Sequence, residues 1–263
     1  INSSWGGTPV EVWIRRERIE KDTVLKAAAK KLRKVKWWPI TPGATYNAMI
    51  HPLIPYTIAG AIWYQGESNR HNAVSYYKSF PLLITSWREE WGKEFPFYFV
   101  QIAPYDYRGD NISAAIVRDA QLHTLKTVPI TGMVVTNDIG NLRDIHPLNK
   151  QDVGKRLSLW ALAKTYGMKD IVFSGPVYRN MELKGNKVII RFDHVDGGLA
   201  MRGKELKEFS VAGKDKVFMP AKARIKGETV EVWSTKVKNP VAVRFAFSDT
   251  ALPNLFNKAG LPA

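Results

Sequence analysis

The chain has 263 residues, 45% of them hydrophobic and nine of them tryptophan, which excludes intrinsic disorder and allows one large domain or two of ordinary size. It contains no cysteine, so disulfides, thiolate catalysis and cysteine-based zinc sites are excluded, while both oxidising and reducing compartments stay open. The balance of 39 Lys and Arg against 24 Asp and Glu gives a net charge of +15, but the basic residues are scattered rather than gathered into a nucleic-acid footprint.

Taken in chain order, residues 21–35 read as a helix. Its dense basic run, Lys30-Lys31-Leu32-Arg33-Lys34-Val35-Lys36, follows Ala27-Ala28-Ala29 as a solvated face. A polar, proline-containing loop then leads to His51-Pro52. From residue 56 to 166 short apolar runs alternate with helical periodicity, which predicts a parallel sheet flanked by helices. The strands are placed at 58–64, 97–102 and 132–136, and the helices near 71–92, 112–127 and 149–166. From about 170 the period changes to two, in runs at 187–192, 207–212, 229–233 and 241–247. Turn signals such as Lys184-Gly185-Asn186 and Lys226-Gly227-Glu228 separate them. This predicts an α/β domain over 1–168 followed by a small β-sandwich over 169–263. No stretch approaches the roughly 18 apolar residues needed to span a bilayer.

The polar constellations follow the predicted strands: Gln65 to Asn69, Ala103 to Asp110, and Asn137 to His146. In open α/β sheets ligands bind at that edge, where loops and helix N-termini converge. Of the five histidines, His146 alone combines a loop after a strand, a nearby carboxylate and a following proline that stiffens the backbone. It is the candidate general base for attack by a serine hydroxyl. Asp144 is the first candidate to orient the imidazole, with Asp138 and a backbone carbonyl as rivals.

Acyl transfer also needs donors aimed at a developing oxyanion. Gly6 and Gly7 offer backbone N–H groups unobstructed by a Cβ, and Gln65 offers a side-chain amide. Glu67 supports a second reading, a glycoside hydrolase pairing it with Asp106, Asp138 or Asp144. A third reading is a non-catalytic carbohydrate-binding protein using the β-rich part. Ser68 lacks the spacing of a nucleophile elbow. Asn69 and Glu67 stand as substrate contacts or loop-shaping groups, and Tyr105 and Tyr107 as sugar-stacking rings. No spacing suits a metal, a P-loop or a dinucleotide.

The segments Asn2-Ser3-Ser4-Trp5-Gly6-Gly7-Thr8, Tyr46-Asn47-Ala48-Met49-Ile50-His51-Pro52, Trp63-Tyr64-Gln65-Gly66-Glu67-Ser68-Asn69 and Asp144-Ile145-His146-Pro147 stand in the order seen in sialate O-acetylesterases. Over essentially its whole length the chain resembles that family, a branch of the SGNH (GDSL-like) hydrolases. The resemblance implies an SGNH-like α/β fold and removal of O-acetyl esters from sialic acid or related acetylated sugars, through an acyl-enzyme and without a cofactor. It implies His146 as base, Asp144 as its partner, and Gly6, Gly7 and Gln65 as oxyanion donors. In the family the serine sits in a Gly-Gln-Ser-Asn motif ahead of the Ser-Trp-Gly-Gly segment, and no such motif occurs here. The nucleophile is therefore expected from polypeptide preceding Ile1, for example an N-terminal fragment of the same protein. A periplasmic or secreted location is expected on the same grounds.

Overall fold

A computed structural model describes residues 1–263, which divide into two compact units: residues 1–102 with 110–134, and residues 103–109 with 135–263. No helix is long and apolar enough to cross a membrane.

The first unit is built on a parallel sheet of strands β1 (Ala61–Tyr64), β2 (Phe97–Val100) and β3 (Thr131–Val134), ordered β1-β2-β3. The central strand β2, Phe97-Tyr98-Phe99-Val100, is buried throughout, as a strand covered on both faces must be. At the sheet edge, Trp63 of β1 is buried while its neighbour Ile62 is 72% exposed. Ahead of the sheet lie helices α1 (Arg16–Lys21) and α2 (Thr23–Ala29). The helix expected over 21–35 is observed as α2, which ends at Ala29, so the basic run from Lys30 lies beyond it, and α1 precedes it. Asp22, with extended backbone, caps the start of α2, its carboxylate accepting the N–H groups of Val24 and Leu25.

Helix α3 (Tyr76–Trp91) continues a 3-10 segment, Glu67–Ser75, and ends at Gly92 in the left-handed conformation. Helix α4 spans Ser113–Thr127. Trp63 sits edge-on to Trp13 and Trp87, each 5.8 Å away, and near Phe80 and Phe97, forming an aromatic core. Two buried polar side chains fix the layers. Arg88 of α3 donates to the carbonyls of Phe95, Pro129 and Ile130, at the entries to β2 and β3. Gln121 of α4 is fully buried; it accepts from Ile102 N–H and donates to the carbonyls of Gln65 and Val100 at the strand ends.

The second unit contains helix α5 (Lys150–Trp160), capped by Asn149, whose side chain accepts from Asp152 N–H. Its remaining strands are β4 (Val177–Lys184), β5 (Lys187–Asp193), β6 (Leu199–Met201), β7 (Phe209–Ala212), β8 (Met219–Pro220), β9 (Lys222–Lys226), β10 (Thr229–Trp233), β11 (Ala242–Phe245) and β12 (Leu255–Asn257). They form antiparallel sheets ordered β4-β5-β10-β9 and β11-β7-β8, with β12 paired to β6. The inward alternates Val188, Ile190 and Phe192 of β5 and Val230 and Val232 of β10 share a core with Phe209, Val211, Leu199 and Leu255. The two-residue turns at 185–186 and 227–228 set the hairpin registers, opposing Lys184 to Lys187 and Lys226 to Thr229.

Candidate active site

Each unit holds its own group of the residues singled out from sequence. In the first, two motifs some 60 positions apart meet. The Trp5–Thr8 turn is pinned from within by Thr8, whose hydroxyl donates to Trp5 carbonyl at 2.7 Å and accepts from the Trp13 indole at 2.9 Å. It is pinned from outside by the loop that ends β1. Gln65 Nε2 donates to Thr8 carbonyl (3.1 Å), Ser68 Oγ donates to Gly7 carbonyl (2.6 Å), and Asn69 Oδ1 accepts from Val10 N–H (2.8 Å). Gly6 and Gly7 stay exposed on this braced turn. Gly7 is left-handed, with φ +76°, and a Cβ there would lie 2.3 Å from the Trp38 ring, so only glycine fits. Fixing a backbone donor this firmly is what preorganised stabilisation of an oxyanion requires.

The hydrogen bonding bears on two sequence expectations here. Gln65 was expected to donate to the oxyanion, but its amide donates to Thr8 carbonyl and to Asn69 Oδ1 at 2.7 Å, while Oε1 accepts from Tyr76 at 2.9 Å. With both protons committed, the side chain braces the glycine turn. Asn69, expected as a substrate contact or a loop-shaping group, is fully buried, which suits the second role. Its Oδ1 takes Val10 N–H and Gln65 Nε2, and its Nδ2 donates to Glu11 Oε2 (2.8 Å) and Asn72 Oδ1 (3.2 Å). No polar atom of Asn69 is left for a ligand. Glu67, on the first turn after Gly66, is half-buried and raises the Tyr64 phenol further above its ordinary range, a shift due first to burial.

The centre of this network, Glu11, carries no functional expectation from the sequence reading. It is fully buried, its carboxylate accepting from Asn69 and, at 2.7 Å, from Asn72 Nδ2. Burial pushes its pKa up, and the amide hydrogen bonds oppose the shift. The available signal was a carboxylate inside the apolar run Pro9-Val10-Glu11-Val12-Trp13, which a folded chain tolerates only with partners.

In the second unit the loops following β2 and β3 are joined. Asp106 N–H donates to Leu142 carbonyl at 3.1 Å, and Tyr105 N–H donates to Asp249 carbonyl at 3.1 Å. Tyr105 and Tyr107 stack edge to face, centroids 4.8 Å apart. His146 projects from the same loop pair with its side chain 87% exposed. Its Nδ1 lies 3.8 Å from Asp144 Oδ1, the oxygen that also accepts His146 N–H at 2.9 Å. Asp138, the rival orienter, is 6% exposed and held by both arms of the Arg156 guanidinium at 2.7 Å, with Arg202 at 3.5 Å. Arg156 also donates to Val135 carbonyl at 2.6 Å. Asp138 is thus bound into a clamp at the root of the loop, which also removes it as a free glycosidase carboxylate.

Comparison with known proteins agrees with these motifs. The family described as carbohydrate esterase, sialic acid-specific acetylesterase matches residues 1–160. The chain is 32% identical over 258 positions to the sialate O-acetylesterase of Rattus norvegicus, covering 81% of this chain and 47% of that protein. It is 33% identical over 232 positions to the human sialate O-acetylesterase, covering 81% of this chain and 44% of that one. Among solved structures it resembles a carbohydrate acetylesterase from Xanthomonas citri, with a TM-score of 0.87 and 39% identity over 99% of this chain and 58% of the other. The chain belongs to the sialic acid-specific acetylesterase family of carbohydrate esterases. It spans about half the length of the curated relatives it matches.

Proposed function

We propose that this chain supplies the histidine and the oxyanion donors of a carbohydrate acetylesterase that removes O-acetyl groups from sialic acid or a related acetylated sugar. The observation that carries the reading is the bracing of the Gly6–Gly7 turn by Gln65, Ser68 and Asn69, each through its own hydrogen bond. In the proposed reaction a serine oxygen bonds to the acetyl carbon while His146 takes the hydroxyl proton. The N–H groups of Gly6 and Gly7 stabilise the oxyanion, the ester C–O bond breaks, and the sugar oxygen receives the proton from His146. Water then attacks the acyl-enzyme by the reverse sequence and releases acetate. Asp144 holds the imidazole, Gln65 and Asn69 position the donors, Glu67 shapes the loop, and Tyr105 and Tyr107 contact the sugar. This chemistry draws on no cofactor.

The nucleophile, in this reading, comes from polypeptide outside these 263 residues. Ser3, Ser4 and Ser68 already donate their hydroxyls to Met49 carbonyl, Asn2 Oδ1 and Gly7 carbonyl, at 2.9, 2.8 and 2.6 Å. The outer side of β1, where no strand pairs and Ile62 is exposed, is the natural place for that polypeptide to extend the sheet. We take residues 1–168 as the hydrolase portion, 169–263 as an appended β-sandwich, and the whole protein as periplasmic or secreted. The test is a fluorophosphonate probe applied to the complete protein, followed by peptide mass spectrometry. Labelling of a serine outside this chain, together with loss of acetate release, supports the reading; labelling at Ser3, Ser4 or Ser68 refutes it.

A further inference from the structure

Strand pairing gathers, on the second unit, cations that the sequence scatters. In β5, β9 and β10 the alternates Val188, Ile190, Ala223, Ile225, Val230 and Val232 pack into the core, so the side chains between them share the outer face of the sheet β4-β5-β10-β9. Register arranges that face in three rows across the strands. The first joins Lys184, Lys187, Trp233 and Lys222 and holds no carboxylate. The second holds Glu182, Ile189, Glu231 and Arg224, and the third Asn180, Arg191, Thr229 and Lys226. Six cations thus stand against two carboxylates, all six exposed except half-buried Lys187. Beyond the rows, Asp193 is taken up by Arg179. Glu231 orders the face rather than cancelling it. Its side chain, 8% exposed, accepts from Arg224 Nε at 2.7 Å and lies 3.4 Å from both Lys187 Nζ and Lys226 Nζ. Lys187 and Arg224 also stand over the Trp233 ring, 5.5 and 5.6 Å from its centre. Cations held in this way lose little further freedom on meeting an anion. Lys184 and Lys222, on the two edge strands, form no ion pair.

We propose that the outer face of the β4-β5-β10-β9 sheet is a docking surface for an anionic lipid bilayer. The cations spread in two directions, about 14 Å across the four strands and about 14 Å along β9 from Lys222 to Lys226, at strand spacings of about 4.8 Å and rises of about 3.4 Å per residue. A two-dimensional array of positive charge is complementary to a plane of headgroup phosphates, whereas a polyanionic chain calls for a line or a groove. A nucleic-acid base or a sugar ring also needs an uncovered aromatic to stack on, and Trp233, the one ring in the three rows, already carries two cations. Ile189, the one aliphatic side chain of the rows, is half-buried, so attachment is electrostatic, reversible and sensitive to salt. None of these residues belongs to the esterase site, and the proposal does not rest on that reading.

The experiment is co-sedimentation of the complete protein with vesicles of phosphatidylcholine alone and with vesicles that also hold about 30% phosphatidylglycerol. Binding to the anionic vesicles only is expected, with its loss at about 0.5 M salt, where the screening length falls to roughly 4 Å. Lys184→Gln and Lys222→Gln should each weaken partitioning about five-fold, and the triple variant that adds Lys187→Gln on the order of a hundred-fold, while remaining folded. A control with the same loss of charge in the first unit, Lys30→Gln with Lys31→Gln and Arg33→Gln, should stay within about three-fold of wild type. Equal loss in the two triple variants would show net charge alone at work and overturn the proposal. So would equal binding to neutral and anionic vesicles, or no binding to either. Binding to heparin or single-stranded DNA with none to the vesicles would assign the face to a polyanionic chain and overturn it as well.

Discussion

Asn69→Asp exchanges groups of nearly equal volume and reverses the hydrogen bonding at the centre of the network. The amide nitrogen that donates to Glu11 Oε2 at 2.8 Å becomes an oxygen facing an oxygen. With an effective dielectric constant of about 20, two charges at that distance repel by roughly 6 kcal/mol. The variant has a cheaper escape, which is to keep one proton between the two carboxylates. Holding a proton on a group of ordinary pKa near 4 costs about 4 kcal/mol at pH 7, at about 1.4 kcal/mol per pH unit. The smaller figure governs, so a loss of about 4 kcal/mol is expected, a large part of the roughly 5–15 kcal/mol that holds a typical domain together. The sign follows from proton counting. The folded variant binds a proton that the unfolded chain has released, so stability rises as pH falls. The same direction holds, less strongly, for Glu11 in the wild type, whose folded pKa is raised by burial against the hydrogen bonds from Asn69 and Asn72. Urea denaturation of both proteins at pH 7, 6 and 5 should show the deficit narrowing by about 1 kcal/mol per unit. A deficit below about 1 kcal/mol at pH 7, or one that does not change with pH, would refute the placement of Glu11 against Asn69.

Further outcomes follow from the same contacts. Asp138→Asn removes the charge from a buried pair with Arg156 and should cost about 3–5 kcal/mol in denaturation, whereas Asp144→Asn, at an exposed pair, should leave the thermal transition in place and lower kcat. Equal stability of the two variants would contradict the clamp. Gly7→Ala forces a Cβ into the Trp38 ring at a left-handed position, so the melting temperature should fall and the Trp38 environment change by fluorescence; an unchanged spectrum would contradict it. Glu231 is held down at about 2 by hydrogen bonding from Arg224, against the effect of burial and with further help from Lys187 and Lys226. Its stabilisation is present above the ordinary carboxylate range and lost as pH falls towards 2, so Glu231→Gln should flatten the stability profile there and nowhere else.

Much of the architecture was legible because it rests on periodicity. The three parallel strands and the β5, β7, β10 and β11 runs fall within a few residues of their expected places. Each carries a pattern of apolar residues that only a strand can bury. The helix expected over 21–35 begins at its cap Asp22 but stops at Ala29, because the basic run that follows carries few apolar residues to bury. At the site, residue type revealed the participants and not their partners. Gln65 and Asn69 have the right chemistry to face a substrate, and nothing in a linear chain shows that Thr8, Val10 and Glu11 have already claimed their hydrogen bonds. Arg156 was hidden for the same reason, since its worth lies in Asp138, 18 positions away. Trp38 reads as one more core aromatic until its contact with Gly7 is seen.

The most direct test of the whole account is acetate release from an O-acetylated sialic acid by the complete protein carrying His146→Ala. The imidazole is exposed and outside the core, so folding and melting temperature should match wild type while kcat falls on the order of a thousand-fold. Turnover equal to wild type in a folded His146→Ala protein would contradict the central claim that this histidine is the base.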